Sequence, residues 1–158
     1  MNEALLNVFV YNETAEAFPA DELARATAAL LADLGEADRE VAIILLNDIQ
    51  IMEQNLAHRG VHEPTDVLSY SLSEGAVAMP EVPLLGDVFV SLDTAQRQAL
   101  ERAITSFEEV LILVAHGVTH LLGFDHQTPE AWEVFTRNQS RMLELAGFAP
   151  ESGAVYTA

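Results

Sequence analysis

Val110-Leu111-Ile112-Leu113-Val114-Ala115-His116-Gly117-Val118-Thr119-His120-Leu121-Leu122-Gly123-Phe124-Asp125-His126 is the stretch on which the reading of this chain turns. Residues 110–115 form an apolar run, too short to span a bilayer and suited to an element buried in a globular core. Directly after it come three of the chain's five histidines within eleven positions. Four residues is slightly more than one helical turn, so His116 and His120 project from one face and can reach a single ion together. A continued helix would carry the chain past that ion. Gly123 resolves this, because glycine accepts the left-handed backbone values that end a helix and lets the chain bend to return His126 as a third ligand.

Three protein ligands leave one position open, the arrangement of a catalytic rather than a structural zinc, where bound water loses a proton near neutral pH. The chain has no cysteine, so any metal must be held by nitrogen and oxygen donors. The expected cofactor is one transition-metal ion on His116, His120 and His126, zinc first, with nickel or copper also compatible with three imidazoles. Asp125 is a nearby carboxylate expected to orient a ligand or handle a proton, or else to stabilise the turn. His58 and His62 read as surface residues.

Working outward, residues 5–11 mix β-branched and aromatic side chains and read as a strand, with a loop over residues 12–18. Pro19, Asp21 and Glu22 open a helix that places Leu23, Ala26, Leu30 and Leu34 on one face and stops at Gly35. Residues 40–46 form a buried strand, and Asn47-Asp48 starts a helix ending at His58-Arg59-Gly60. Glu63-Pro64-Thr65 turns the chain into a strand at residues 67–70; residues 86–91 form another, with a loop at residues 74–83 between them. Residues 92–122 are helical in two pieces, and Pro129 opens a last helix to Leu145.

This mixed order predicts an α+β fold: a single domain with a roughly four-stranded mixed sheet, about five helices and the metal site at the end of a central helix. Residues 1–149 are expected to form this metallohydrolase-like domain and residues 150–158 a frayed tail. Half of the 158 residues are hydrophobic, enough for one core. Residues 1–6 carry an early acid and no basic stretch, unlike an export signal, so the expectation is a cytoplasmic protein with no membrane partner.

Charge limits the partners. There are 25 acidic residues against seven arginines and no lysine, a net charge of −18. A polyanion is repelled at long range by that balance, so a nucleic-acid substrate demands a local cationic groove or a metal at the contact.

The spacing of the three histidines and Gly123 is that of the long zinc motif of the metzincin peptidases, with Gly117 where those enzymes carry a glutamate base. A peptidase without that carboxylate lacks its proton acceptor. The fuller string His116-Gly-x-x-His120-Leu-x-Gly-x-Asp-His126 resembles the signature of the YbeY family. Residues 55–70, with Arg59 and Pro64-Thr65-Asp66-Val67-Leu68-Ser69-Tyr70, are similar to that family's second block, which usually ends in phenylalanine. Gly86-Asp87-Val88-Phe89-Val90-Ser91 resembles its third.

The resemblance implies a metal-dependent endoribonuclease acting on single-stranded RNA in ribosomal RNA maturation and small-subunit quality control. It implies metal binding by His116, His120 and His126, a catalytic role for Arg59, and the small ribosomal subunit or its assembly factors as partners. Arg59 suits that chemistry, since a guanidinium can hold two phosphate oxygens and offset charge building on a phosphodiester. Read without the resemblance, Arg59 is a cation favouring the C-terminus of its helix. Two other functions stay open here: a metal-dependent peptidase or amidase, and a non-catalytic ribosome-assembly factor whose metal fixes the fold.

Overall fold

In the computed structural model, which describes residues 3–5, 7–71 and 83–150, five strands make one mixed sheet. β1 (Glu3–Leu5), β2 (Val8–Asn12), β3 (Glu40–Leu46), β4 (Val67–Ser71) and β5 (Leu84–Ser91) lie in the order β1-β2-β3-β5-β4. The central β2, β3 and β5 are parallel, and β1 and β4 flank them antiparallel. The helices among the described residues are α1 (Ala20–Asp33), α2 (Asp48–Arg59), α3 (Leu92–Arg102), α4 (Ser106–Leu121) and α5 (Pro129–Leu145). The α+β domain has its expected helices and all four expected strands, and β1 adds a fifth at the edge. Continuous β-prone character over residues 5–11 conceals a reversal: Leu5 pairs back onto Val8. The expected tail at residues 150–158 and loop at residues 74–83 fall almost wholly outside the described residues.

Alternation along the strands divides the molecule into two layers. Val41, Ile43 and Leu45 of β3 face the main core with α1, α4 and α5, while Ile44 and Leu46 join Ile51 of α2, Leu68, Tyr70 and Phe89 on the opposite face. A bulge breaks the register between Glu40 and Val41, so that Leu85 and Val88 both reach the main core. Gly86 permits the close approach beside it: a Cβ there would fall on the Tyr70 carbonyl oxygen and lie 2.8 Å from a Leu121 methyl.

α4 is the buried helix of the fold. Every residue from Glu109 to Thr119 is buried, as expected of a helix that is apolar nearly all round. Its start is fixed by a capping box in which Thr105 accepts from the Glu108 amide and the Glu108 side chain accepts from the Thr105 amide. No single helix among the described residues is long and apolar enough to cross a membrane.

Candidate metal centre

His116 and His120 stand one turn apart at the end of α4, and the helix stops just beyond them. Gly123 takes φ 101°, its N–H donates to the His120 carbonyl at 2.9 Å, and the chain turns back to place His126 beside the other two. One nitrogen from each of the three rings lies within 4.8 Å of the others. Three imidazole nitrogens this close to one another could hold one metal ion between them.

Protein oxygens orient two of the three rings. His116 Nδ1 lies 3.2 Å from Gln139 Oε1, and His120 Nδ1 lies 3.1 Å from the Phe124 carbonyl. Both partners are oxygens that only accept, so Nδ1 carries the proton in each ring and Nε2 keeps its lone pair for a cation. Burial pushes the His116 pKa down to about 3, with the neighbouring His120 and His126 adding to the effect and the Gln139 hydrogen bond opposing it. Burial, then His126, lowers His120 too. Both imidazoles are therefore neutral at pH 7, the form that binds metal. His126 stacks on Trp132 at 4.8 Å between centroids, and Phe135 packs against all three rings.

Arg59 reaches the same place from the other layer. α2 is capped at its start by Asn47 and Gln50, and Asp48 accepts from Ser91 Oγ at 2.6 Å and Thr94 Oγ1 at 2.7 Å, locking the helix to the end of β5. At its far end Gly60 takes φ 72° and Asn55 Nδ2 donates to the Glu63 carbonyl at 2.9 Å, so the chain leaves Arg59 at a fixed corner. A cavity of about 600 Å³ is lined jointly by Arg59, by residues 65–71 and by His116, His120 and His126. Five of the seven arginines pair with carboxylates. Among the described residues Arg59 pairs with none, which leaves its charge to the cavity.

The sequence reading missed Gln139, Trp132 and Phe135, which hold the histidines from α5. Its only trace of them is Pro129, which opens that helix. Asp125 stands outside the cavity lining, and its carboxylate accepts from the Gln127 amide at 3.3 Å, the turn-stabilising arrangement. Its charge still works to raise the His120 pKa. His62 is exposed; His58 is exposed and stacks on Tyr70 at 4.2 Å. Gly117 is a packing position: a Cβ there would come within 2.8 Å of Val88 Cγ1. A glutamate at 117 would collide with the sheet, so this helix cannot carry a peptidase base at that position without moving.

The profile of the family described as Endoribonuclease YbeY matches residues 10–147, a span containing all three histidines and Arg59. This chain belongs to the YbeY family. A curated YbeY relative from Thermus thermophilus, named an endoribonuclease, is 48% identical over 124 residues, 78% of this chain and 88% of its own. Another so named, from Desulforamulus reducens, is 45% identical over 114 residues, 70% of this chain and 74% of its own. The solution structure of a Thermotoga maritima protein matches with a TM-score of 0.59 at 26% identity, covering 85% of this chain and 89% of that one. As a YbeY chain it carries a cluster of three histidines able to hold a metal ion, beside an arginine with no carboxylate partner among the described residues.

Proposed function

We propose that this chain is a metal-dependent endoribonuclease that cuts single-stranded RNA in ribosomal RNA maturation and small-subunit quality control. It would work in the cytoplasm with the small ribosomal subunit or its assembly factors. The observation that carries the reading is the shared cavity: three imidazoles that converge on one spot, and Arg59 facing them from the opposite layer.

His116, His120 and His126 would hold the ion, and zinc fits a three-imidazole set with an open position, nickel being the chemical alternative. When bound, the ion supplies Lewis-acid polarisation of a phosphoryl oxygen and a water of lowered pKa. The rest falls to the chain's own groups. Arg59 holds two phosphate oxygens and offsets the charge that builds on them as the phosphodiester is attacked. Gln139 and the Phe124 carbonyl keep the rings in the binding tautomer, while Trp132 and Phe135 exclude water from behind them. Asp66 is the one carboxylate among the described residues of the lining. Its oxygens accept from the Val67 amide at 2.8 Å and from Gln98 Nε2 at 3.3 Å, which fixes it as part of the wall. The acidic remainder of the surface repels RNA, which confines productive contact to the cavity.

The test is purified chain with and without a chelator, offered an unpaired oligoribonucleotide and, separately, casein. One equivalent of transition metal and chelator-sensitive RNA cleavage are expected. Metal-dependent cleavage of casein with the RNA left intact would mean that the site is a peptidase. End-group analysis then identifies the nucleophile, because a cyclic phosphate product marks attack by the ribose 2′-hydroxyl rather than by water.

A further inference from the structure

One strand edge divides the cavity in two. Among the described residues β4 is the outermost strand on its side of the sheet and pairs only with β5. Arg59 and Tyr70 stand on the α2 side of that strand, and His116, Gly117 and His120 stand on the α4 side, yet all line one cavity. A phosphodiester held by Arg59 and presented to the histidines must therefore cross the edge of β4.

The ladder fixes which main-chain groups it meets there. The Ser91 N–H donates to the Asp66 carbonyl at 3.0 Å, and Val67 is the partner of Val90 in the register. Inward bonds alternate along an antiparallel pair, so Leu68 and Tyr70 bond toward β5 while Val67, Ser69 and Ser71 turn their N–H and C=O groups outward. The Val67 N–H is already taken by the Asp66 carboxylate at 2.8 Å. Ser69, half-buried at the middle of the strand, keeps a donor and an acceptor side by side with no partner among the described residues.

We infer that Ser69 is a main-chain substrate contact, its N–H donating to and its C=O accepting from one unpaired nucleotide laid over the β4 edge between Arg59 and the three histidines. This rests on the ribonuclease reading above and names how that substrate is held. An added peptide strand is the other conceivable occupant of a sheet edge, but it needs donors and acceptors repeated along the strand. Here the Asp66 carboxylate has removed the Val67 donor and Ser71 has a partner of its own, leaving Ser69 as the complete pair among the described residues of the strand. The unpaired cation beside that pair suits a phosphate, and a basic peptide would meet Arg59 as a like charge. Unstacked nucleotides offer free donor and acceptor groups that a duplex has already engaged, so the same contact favours single strands.

Three variants of the metal-loaded full chain test it, with a labelled oligouridylate as the probe. Ser69→Ala removes only the hydroxyl. Ser69→Pro removes the outward N–H without breaking a ladder bond, a setting in which an edge strand accepts proline. Replacing the Ser69 amide by an ester removes the same N–H without the ring constraint and keeps the test valid if the proline variant does not fold. The ester variant is expected to raise KM roughly five- to tenfold with kcat little changed, and Ser69→Ala, which keeps the N–H, to raise it less than the ester does. Wild-type cleavage together with an unaltered KM in the ester variant would overturn the inference while leaving the ribonuclease reading intact. No cleavage of oligouridylate by the wild type would instead sink that reading, and this contact with it. Displacement of the probe by an extended basic peptide whose own binding needs the Ser69 N–H would assign the edge to strand addition and also overturn the inference.

Discussion

Helix α4 buries a titratable group near each end, and the two ends have opposite surroundings. Glu109, in the first turn, is fully buried, its oxygens meet no hydrogen-bond donor among the described residues, and Arg102 approaches only to 3.7 Å. Burial pushes its pKa up to about 7, against the pull of Arg102 and with the help of Asp66 and Glu101. His116, two turns along, is pushed the other way for the same first reason. Desolvation favours the neutral form of both, an acid that keeps its proton and a base that does without one. What separates them is convergence. His116 has an acceptor that fixes its tautomer, two further imidazoles and a cavity in front of it; Glu109 has the flank of α3. A shifted group signals chemistry where other donors point to the same spot.

The largest effect should come from breaking the convergent end. His120→Ala leaves two imidazoles, so bound metal should fall below one equivalent and RNA cleavage to background, measured by elemental analysis beside a cleavage assay. Retention of both would dissolve the contrast between the two ends of α4. Arg59→Ala comes next, with kcat reduced roughly 10²- to 10³-fold and metal content unchanged, as for loss of one group stabilising a transition-state charge. Arg59→Lys should recover only part, because an ammonium keeps the charge but not the planar fork. Gln139→Leu acts one step further out. It frees the His116 ring and should weaken metal affinity about 10- to 100-fold, read by competition with a chromogenic chelator. Cleavage at saturating metal should stay near the wild-type rate.

The convergent end was legible in sequence because its information is local. Three histidines and a glycine within eleven positions carry their own geometry, and the order of strands and helices follows from periodicity and from residues such as Asn47, Thr105 and Pro129 at helix starts. The support from α5 was hidden, since Gln139 meets His116 across 23 residues and a glutamine on an amphipathic helix announces nothing. Gly117 could be read as a missing carboxylate, whereas its reason for being glycine is Val88 on another element. The position of β4 at the edge, and so the division of the cavity, depends on strand order, which apolar alternation does not encode.

The smallest effect is the most diagnostic of the sealed end. Glu109 has its folded pKa raised from 4.5 to about 7, so between those values the folded state holds a proton that the unfolded state releases. Its contribution is fully present below pH 4.5 and is lost as pH rises through about 7, up to about 3 kcal/mol. In the metal-free chain His116 does the reverse: its folded pKa falls from 6.5 to about 3, so its contribution is lost as pH drops from 6.5 toward 3. Between pH 4.5 and 6.5 the two slopes oppose one another. Glu109→Gln removes one of them, and the urea midpoint of the metal-free variant should then rise steadily with pH across that window, where the wild type stays comparatively flat. Cleavage by the metal-loaded variant should be unchanged, because Glu109 meets the cavity only through the charge of Asp66 and no residue at that end of α4 lines it. A lowered kcat in a folded Glu109→Gln chain would show that the sealed end communicates with the histidines, and the two ends of the helix would have to be treated as one site.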